Sequence, residues 1–513
     1  MQTSKLRPVH NLVAVSQNFV RNVAVSSTSV DTNLETELKS WKEIPGPSSL
    51  PLIRQLRHFL PGGSLYGLNG IAFQDHLYKK YGPIVRLEGV MGGPTLVFLY
   101  DVEASAQVLR GENLMPSRPG FTSLEYYRKI YSKDKDRPKD DPTGLITDHD
   151  EVWKKFRSTV NPIMLKPKTI KLYSKILDEV ALDMIARMKS IRNEKNMIEG
   201  NFDVEMNLWA LESIGVVALG DRLNCFDPNL PEDSPARKLI QIVHDVFTVA
   251  EQLDFKPSFW RYVETPTFKR AMQLYDDQMK INKYFVNKAM EQLRSKNQKP
   301  DDEKGILEKL LEIDENIAVI MASDMLFAGV DTASNTITTT LYFLGTNPEK
   351  QNKLREEILS KQDKRPYLKA CIKESMRIRP VVSGNMRKIY KDYNLMGYKI
   401  PKGIHVVFAH EYISLMEDQY PRPNEYIPER WIAEKDDPLY HGKAHPFAFS
   451  PFGFGTRSCI GRRIAELELE TFLARLIENF EVEWFGPPLK TRTTTLNYTV
   501  PPYNFIFRDV KKA

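Results

Sequence analysis

Cys459 has the clearest capacity for chemistry, because it lies at the end of a glycine-broken loop and directly before a helical pattern. Residues 451–461 read PFGFGTRSCIG, and apolar residues recur at helical spacing after them. The free backbone N–H groups of a helix N-terminus stabilise a thiolate, which is the form of cysteine that binds metals. We therefore predict that Cys459 binds a metal and that the pKa of its thiol is lowered.

The residues next to Cys459 fit a flat, anionic ligand. Arg457 precedes the cysteine and can pair with an anionic group beside the metal. Glycines let the backbone approach a flat ligand closely, and the loop has three of them: Gly453, Gly455 and Gly461. An isolated cysteine is more often a buried structural residue. The whole surrounding pattern favours the chemical role instead.

A second cluster lies halfway along the longest helical pattern, where residues 328–334 read AGVDTAS. Gly329 and several Ser and Thr residues are poor choices for a helix interior. They suit a helix that bends and leaves room for a small molecule, and Asp331 and Thr332 would then form a proton path. The alternative is a contact between helices through small residues, with Asp331 in solvent.

Composition bounds the class of protein. The chain has 513 residues, 42% of them hydrophobic, and a net charge of +6. No linker or internal repeat divides it, so we expect one large domain. No basic run interleaved with aromatic residues is present, which argues against nucleic acid as a partner. Cys225, Cys371 and Cys459 are the only cysteines, so no disulfide framework is expected and a reducing compartment fits.

Residues 1–35 differ in composition from the rest of the chain. They contain basic residues but no acidic residue before Asp31, and apolar residues recur at helical spacing between Leu12 and Val23. A basic, amphipathic, acid-poor start is typical of a mitochondrial transit peptide; the alternative is a disordered extension. Because we find no run of about 18–20 apolar residues, we expect no transmembrane anchor.

Periodicity over residues 40–513 predicts a mainly α fold with small β-sheets. Helices are predicted at 149–165, 168–190, 203–220, 236–250, 266–294 and 314–344. Strand-like runs are few, at 84–89, 94–99, 395–400, 404–409 and 503–508. Asp148 is expected to cap the first of these helices.

The pattern Phe-x-x-Gly-x-Arg-x-Cys-x-Gly, from Phe452 to Gly461, resembles the haem-binding loop of the cytochrome P450 family at every defined position. The resemblance covers nearly all of residues 40–510, where further motifs follow in the family's order. It implies a mainly α, single-domain fold that binds haem b (iron protoporphyrin IX), with Cys459 as the axial iron ligand. Thiolate ligation favours O–O cleavage, and residues 328–334 resemble the family's oxygen-binding groove.

Other motifs imply roles for charged residues around the haem. Trp153-x-x-x-Arg157 resembles the family's propionate-binding helix, and Arg387 resembles its strand arginine. The alternative for each arginine is a place on the surface. The family also has a buried Glu-Arg-Arg network that supports folding and haem retention, matched here by Glu374, Arg377 and Arg430.

The N-terminus and the residues after the haem loop resemble the mitochondrial branch of the family. Its members take electrons from an acidic ferredoxin with an NADPH-dependent reductase, which implies a mitochondrial enzyme, peripherally associated with the inner membrane on the matrix side. Exposed cations would steer such a partner; the alternative is a solvated helix face. The matching residues are Lys369, Lys373, Arg462 and Arg463. Between Asn347 and Glu374 the chain is shorter than the family usually is.

The motifs together imply a monooxygenase that inserts one oxygen atom from O2 into a lipophilic substrate, a foreign compound or a steroid. The sequence resembles insect mitochondrial members, which leaves ecdysteroid hydroxylation as an alternative. A peroxide isomerase or dehydratase needs no proton relay, so Asp331 and Thr332 argue against it; outside enzymes, the alternative is a haem sensor or carrier. By resemblance, the substrate cavity is lined by residues 118–127, 247–253, 325–328, 381–385 and 496–498.

Overall fold

Helices make up most of the folded chain, as the periodicity predicts. In a computed structural model the chain is described over residues 38–132, 141–198, 202–295, 299–362 and 364–510. The predicted transit peptide, residues 1–35, lies outside these residues. The described α-helices are α1 Gly70–Tyr81, α2 Val102–Arg110, α3 Thr122–Tyr126, α4 Asp150–Met164, α5 Pro167–Lys171, α6 Ser174–Ile191, α7 Phe202–Leu219, α8 Pro235–Ala250, α9 Pro266–Ser295, α10 Ile306–Leu311, α11 Glu315–Thr346, α12 Pro348–Leu359, α13 Pro366–Ile378, α14 His410–Ile413 and α15 Arg462–Asn479.

The strands form small sheets, also as expected. They are β1 Lys39–Ser40, β2 Ile84–Leu87, β3 Leu96–Leu99, β4 Asn385–Lys388, β5 Tyr393–Leu395, β6 Tyr398–Ile400, β7 His405–Phe408, β8 Phe480–Trp484, β9 Lys490–Thr493, β10 Asn497–Val500 and β11 Phe505–Asp509. The largest sheet has the order β2-β3-β7-β4, a smaller one the order β1-β6-β5, and β8–β11 and β9–β10 form antiparallel pairs. β4 carries Arg387 to the Cys459 loop, and β10 carries Tyr498 to α11.

α11 runs through the core, and most of its residues are buried. It packs most extensively on α7, which is itself buried on nearly every side. A Cβ atom on Gly329 would lie 2.6 Å from Cγ1 of Ile214 in α7. Gly329 therefore allows the two helices to approach closely at this point.

α11 also has the composition of a membrane span. An 18-residue stretch of this 32-residue helix has a mean hydropathy of 1.4, which is enough to cross a membrane by length and composition alone, although Asp324 and Asp331 interrupt its apolar residues. Most of that apolar stretch is buried inside the protein. The apolar character of α11 is accounted for by its place in the hydrophobic core, which it shares with α7 and α15.

Two local expectations are wrong. The helical pattern over residues 168–190 is broken into α5 and α6. Asp148 does not cap α4, because His149 occupies the N-cap position. The Asp148 carboxylate instead accepts hydrogen bonds from the backbone N–H groups of Thr143 at 2.7 Å and Gly144 at 3.0 Å.

The shortened segment between Asn347 and Glu374 forms both α12 and α13. The carboxylate of Glu357, near the end of α12, accepts hydrogen bonds from the N–H groups of Tyr367 at 2.8 Å and Leu368 at 2.9 Å. These N–H groups belong to the first turn of α13 and have no partner within the helix. Glu357 therefore caps α13 across the short connection.

Candidate active site

Backbone geometry holds the Cys459 loop. The N–H group of Cys459 donates to the carbonyl oxygen of Phe452 at 2.8 Å. Gly453 and Gly455 have φ of +71° and +70°, where a side chain would be strained. Cys459 lies directly before α15, as predicted. A Cβ atom on Gly461 would lie 3.9 Å from the sulfur of Cys459, an ordinary contact, so the surrounding protein atoms do not by themselves require glycine there.

The Cys459 side chain is accessible to solvent, although protein surrounds it. Burial raises the pKa of its thiol, whereas the N–H groups of Gly461 and Arg462 and the cations Arg118 and Arg157 lower it. The predicted lowering of this pKa is wrong for the polypeptide alone, because burial is the larger effect. An exposed thiol that protein nevertheless encloses indicates an opening inside the protein at Cys459. Its surroundings offer N–H groups and cations to a thiolate.

Four arginines form a group beside Cys459: Arg157, Arg387 and Arg457 are buried, and Arg118 is partly buried. Burial lowers the pKa of Arg118 and of Arg157 to about 10 and that of Arg457 to about 8, and neighbouring arginines lower each further. Glu112 pairs with Arg387 and offsets part of this charge. The group still holds an excess of buried positive charge, which is stabilised when anions bind.

The structure brings the predicted residues Trp153, Arg157 and Arg457 together. Nη2 of Arg157 donates to the carbonyl oxygen of Ser458 at 2.9 Å, and its Nε is buried with no protein partner. Arg457 donates to three backbone carbonyl groups, and its guanidinium carbon lies 3.8 Å from the centre of the Trp153 ring. Trp153 thus supports Arg457 by a cation–π contact.

Arg387 is held by acceptors of the protein, whereas sequence reasoning did not identify Arg118 as a cation. Nε of Arg387 pairs with Glu112, and its Nη2 lies 3.4 Å from the carbonyl oxygen of Phe454. Sequence reasoning missed Arg118 as a cation of the site, because it lay within a segment expected to be apolar; a charged residue there was the available signal. An accessible thiol beside buried arginines fits haem, whose iron takes a thiolate and whose propionates pair with arginine.

Asp331 and Thr332, the two residues of the predicted proton path, lie in different surroundings on α11. Ala328 and Thr332 are accessible in the middle of this otherwise buried helix, and the Thr332 hydroxyl donates to the carbonyl oxygen of Ala328 at 2.7 Å. Asp331 is buried rather than in solvent. Its Oδ2 accepts a hydrogen bond from the hydroxyl of Tyr498 at 2.5 Å, and its Oδ1 has no protein partner. Burial raises the pKa of Asp331, whereas Tyr498 and His244 lower it.

Glu374, Arg377 and Arg430 meet in a fully buried network. The Glu374 carboxylate accepts two hydrogen bonds from Arg377, at 2.8 and 2.9 Å, and one from Nε of Arg430 at 2.9 Å. The indole N–H of Trp431 donates to the same carboxylate at 2.9 Å. The network ties α13 to the segment that leads to the Cys459 loop.

The predicted partner-binding residues lie on α13 and α15, and we call them the docking surface: Lys369, Lys373, Arg462 and Arg463. All but Lys373 are exposed; Lys373 is half-buried, with its Nζ 5.5 Å from the centre of the Trp431 ring. Two carboxylates, which sequence reasoning missed, lie among these cations. Glu470 lies 3.4 Å from Nζ of Lys369, and Glu466 lies 2.8 Å from Nε of Arg462. The docking surface therefore has mixed charge.

Three of the predicted cavity segments meet in an aromatic cluster. The rings of Phe247 and Phe327 stack with their centroids 4.8 Å apart, and Phe121 lies edge-on to both, at 5.8 and 6.1 Å. The other two segments also meet, because the N–H group of Asn497 donates to the carbonyl oxygen of Val381 at 2.8 Å. Phe247 and Phe327 are buried, and Phe327 directly precedes the exposed Ala328, so the aromatic cluster packs beside that residue.

Comparison with known proteins defines the class. The family model described as Cytochrome P450 matches residues 46–507, and the chain belongs to this family of haem-thiolate monooxygenases. Retinoic acid-bound cyanobacterial CYP120A1 shares the fold with a TM-score of 0.70 at 19% identity, over 92% of this chain and 100% of that chain. The heme domain of cytochrome P450DA does so with a TM-score of 0.71 at 19% identity, over 91% and 97%.

Insect proteins are among the relatives. Cytochrome P450 CYP12A2 of Musca domestica is 40% identical, over 92% of each chain. Two proteins of Drosophila melanogaster are named probable mitochondrial cytochromes P450: 12a5 is 38% identical over 97% of this chain and 96% of its own, and 12b2 is 36% identical over 93% of each. The predicted resemblance to insect mitochondrial members is confirmed.

Proposed function

We propose that the chain inserts one oxygen atom from O2 into a lipophilic substrate, with haem b bound through the sulfur of Cys459. The accessible Cys459 thiol beside buried arginines is the observation that carries this proposal. When bound, the haem supplies the iron at which O2 is activated. Phe452 holds the Cys459 backbone in place, and the N–H groups at the start of α15 stabilise the thiolate.

The arginines of the site bind the haem propionates. Arg157 offers a buried Nε that has no protein partner, and Arg118 brings a second cation to the same place. Arg457 is held by backbone carbonyl groups and by the Trp153 ring, so it mainly supplies fixed positive charge. Arg387, on β4, is the fourth arginine of the group, and its ion pair with Glu112 offsets part of its charge.

Asp331 and Thr332 move protons to the reacting oxygen. Oxygen insertion consumes two electrons and two protons per molecule of O2 and releases water. The buried Asp331 holds a proton readily, because burial raises its pKa. The accessible Thr332 hydroxyl, held by the carbonyl oxygen of Ala328, is placed to hand protons into the opening while the surrounding core excludes bulk water.

The electron donor is a mitochondrial ferredoxin with its NADPH-dependent reductase, and it binds at the docking surface. The exposed cations Lys369, Arg462 and Arg463 support this choice. The mitochondrial naming of the Drosophila relatives supports a mitochondrial location, and the enzyme is placed on the matrix side of the inner membrane with the proposed ferredoxin. The acid-poor, basic residues 1–35 serve as the transit peptide.

The enzyme associates peripherally with the membrane through exposed apolar residues. Leu52 is fully exposed, and Phe259, Tyr262 and Val263 are more than half exposed. The segments around Leu52 and around Tyr262 both contact the turn at residues 89–92. Arg54 donates to the carbonyl oxygen of residue 89, and the Tyr262 hydroxyl approaches the backbone of residue 92. A joint apolar patch of this kind favours a lipid surface and access for lipophilic substrates.

The substrate is a lipophile, a foreign compound or a steroid. Phe121, Phe247 and Phe327 come from three chain segments and form an aromatic cluster beside Ala328, in which Phe247 and Phe327 are buried. Apolar surroundings of this kind favour apolar molecules over charged ones. Substrate-induced spectral shifts measured over steroids and foreign lipophiles identify the class of ligand that reaches this surface.

The proposal is tested with the full chain loaded with haem. The reduced protein under carbon monoxide should show the Soret band typical of thiolate ligation. Cys459→Ser should abolish this band, whereas the control Cys225→Ala, which removes a buried cysteine elsewhere, should keep it. A wild-type protein without the band, or a serine variant that retains it, would show that Cys459 is not the iron ligand.

Product formation that depends on NADPH, ferredoxin and its reductase separates an enzyme from a haem sensor or carrier.

A further inference from the structure

A polar cavity of about 190 Å³ lies between α7, α8, α11 and the β9–β10 hairpin. Its walls include the side chains of His244, Asn335, Arg492 and Tyr498. A cavity of this volume with several hydrogen-bonding groups holds several water molecules. It therefore offers water next to the most buried part of α11.

Tyr498 connects this cavity to Asp331. The tyrosine lines the cavity, and its hydroxyl donates to Oδ2 of Asp331 at 2.5 Å. Asp331 is 1% exposed and does not itself line the cavity. Its second oxygen, Oδ1, is buried with no protein partner and can carry the proton of the neutral acid. The Tyr498 hydroxyl thus reaches the carboxyl group from the cavity side.

His244 brings the cavity into contact with solvent. It lies on α8 and is exposed. Its ring meets that of Tyr498 edge-on, with centroids 5.2 Å apart and an angle of 79° between the planes. Imidazole exchanges protons with water near neutral pH. His244 is therefore a group through which cavity water can gain protons from bulk solvent; Asp203 and Arg492 are the charged residues that line the same cavity.

Asn335 fixes the position of Tyr498 relative to α11. Its Oδ1 accepts hydrogen bonds from the N–H group of Thr499 at 2.8 Å and from the Thr499 hydroxyl at 3.0 Å. Its Nδ2 donates to the carbonyl oxygen of Asp331 at 2.8 Å. β10 is thereby held against α11 at the residue next to Tyr498, so the bond between Tyr498 and Asp331 does not depend on a mobile side chain.

We propose that Tyr498 and His244 form the proton inlet of Asp331, an inference that rests on the proposed role of Asp331 and Thr332. When Asp331 passes its proton towards Thr332, the Tyr498 hydroxyl donates its own proton to Oδ2 and accepts one from cavity water in the same step. Protonated His244 returns a proton to that water and is reprotonated by solvent. Rotation of the Asp331 carboxyl group and of the Tyr498 hydroxyl then returns both groups to their starting state, so one proton enters per cycle and no charge accumulates on the tyrosine.

The first test compares turnover of the haem-loaded full chain in H2O and D2O. Tyr498→Phe removes the hydroxyl and keeps the ring, and it should slow product formation on the order of tenfold, raise the share of peroxide and enlarge the solvent isotope effect. The matched control is Tyr503→Phe, because the buried Tyr503 hydroxyl donates to the carbonyl oxygen of Thr499 at 2.8 Å instead. It should behave as wild type.

The second test does not need turnover. The infrared carboxyl band of protonated Asp331 is identified by its loss in Asp331→Asn. Tyr498→Phe should shift this band, whereas Tyr503→Phe should not. In D2O, His244→Gln should slow the exchange of the carboxyl proton severalfold. An unshifted band in Tyr498→Phe, or exchange in His244→Gln at the wild-type rate, overturns the inlet.

The outcomes separate the inlet from the proposed function. If Asp331→Asn loses coupling while Tyr498→Phe keeps wild-type turnover and isotope effect, the inlet is wrong and the role of Asp331 stands. If Asp331→Asn itself turns over normally, Asp331 does not deliver protons during turnover, and the proposed inlet to Asp331 is refuted as well. A wild-type protein that makes no product refutes the proposed function, and the infrared measurement still decides whether Tyr498 and His244 supply Asp331.

Discussion

Lys369 on α13 and Glu470 on α15 form an ion pair, with 3.4 Å between Nζ and the carboxylate oxygen. Lys369 had been expected as a free cation for an acidic partner. Lys369 lowers the pKa of Glu470, although burial raises it more. Glu470 therefore competes with the ferredoxin carboxylates for Lys369. Because of this competition, Lys369 should contribute less to docking than its charge alone would indicate.

Replacing Glu470 should therefore strengthen the binding of ferredoxin. Glu470→Gln frees Lys369 and should lower the Kd for an acidic ferredoxin by about two- to threefold at low salt, with the gain lost at high salt. Lys369→Ala should act in the opposite direction. Glu478→Gln is the matched control, since Glu478 lies on the same helix but pairs with Arg475 at 2.6 Å. Equal Kd values for Glu470→Gln and wild type at every salt concentration would count against docking at this surface.

Thr332→Ala should uncouple the enzyme. The hydroxyl is accessible in the middle of α11, so its loss removes a proton donor from the opening and oxygen should leave as peroxide. We expect the ratio of product to NADPH consumed to fall on the order of tenfold. Thr346→Ala is the control, because the exposed Thr346 makes the same bond to its helix, to the carbonyl oxygen of Tyr342 at 2.9 Å. Wild-type coupling in Thr332→Ala would exclude the proposed role.

Glu374→Ala should leave two buried guanidinium groups without their carboxylate. We expect the free energy of unfolding to fall by roughly 3–5 kcal/mol, together with loss of haem during purification. The control is Glu483→Ala, which breaks a surface pair with Arg508 at 2.7 Å and should cost about 1 kcal/mol or less. Denaturant unfolding and haem content per chain measure both. A similar small cost for the two variants would show that the buried network is not a structural support.

Sequence patterns predicted those parts of the molecule that depend on local periodicity or on a contiguous motif. The helical spacing of apolar residues gave α7, α8, α9 and α11 nearly to their ends. The loop that carries Cys459 was predictable because its glycines and its place before a helix lie within a few consecutive residues. Glu374 and Arg377 could be paired because they lie one turn apart on α13.

Contacts between distant segments were not predictable in the same way. Nothing near Asp331 in the sequence indicates that Tyr498 bonds to it, because β10 lies far along the chain. Asp148 looked like an N-cap until the donors of the preceding loop were known. The thiol of Cys459 illustrates the same limit, since its pKa depends on burial by the whole fold, which opposes the local effect of the helix N-terminus.

Glu411, a buried carboxylic acid in α14, should make stability depend on pH. Burial raises its pKa from 4.5 to about 7, while Asn497 and Arg379 lower it. A carboxyl with a raised pKa in the folded state contributes stability below its unfolded pKa, and this contribution is lost as pH rises through the folded pKa. Between pH 5 and 8 wild type should therefore lose up to about 3 kcal/mol relative to Glu411→Gln.

Unfolding midpoints of the two proteins at several pH values measure this difference. Glutamine keeps an oxygen that accepts from Nδ2 of Asn497, as Glu411 does at 3.2 Å, so the variant preserves the local hydrogen bond. The exposed Glu434, replaced by Gln, is the control and should leave the pH dependence unchanged. Parallel curves for wild type and Glu411→Gln would show that Glu411 does not titrate in this range.

Gly329→Ala should destabilise the protein, although alanine is normally the better helix former by about 1 kcal/mol. The new methyl group would lie 2.6 Å from Cγ1 and 2.9 Å from Cβ of Ile214, so α11 and α7 would have to separate. Ile214→Ala removes the obstructing atoms but creates a cavity of its own. The double variant should therefore be more stable than the sum of the two single losses predicts, and denaturant unfolding of all four proteins measures this coupling. Strictly additive losses would mean that the contact between residue 329 and Ile214 does not set the cost of Gly329→Ala.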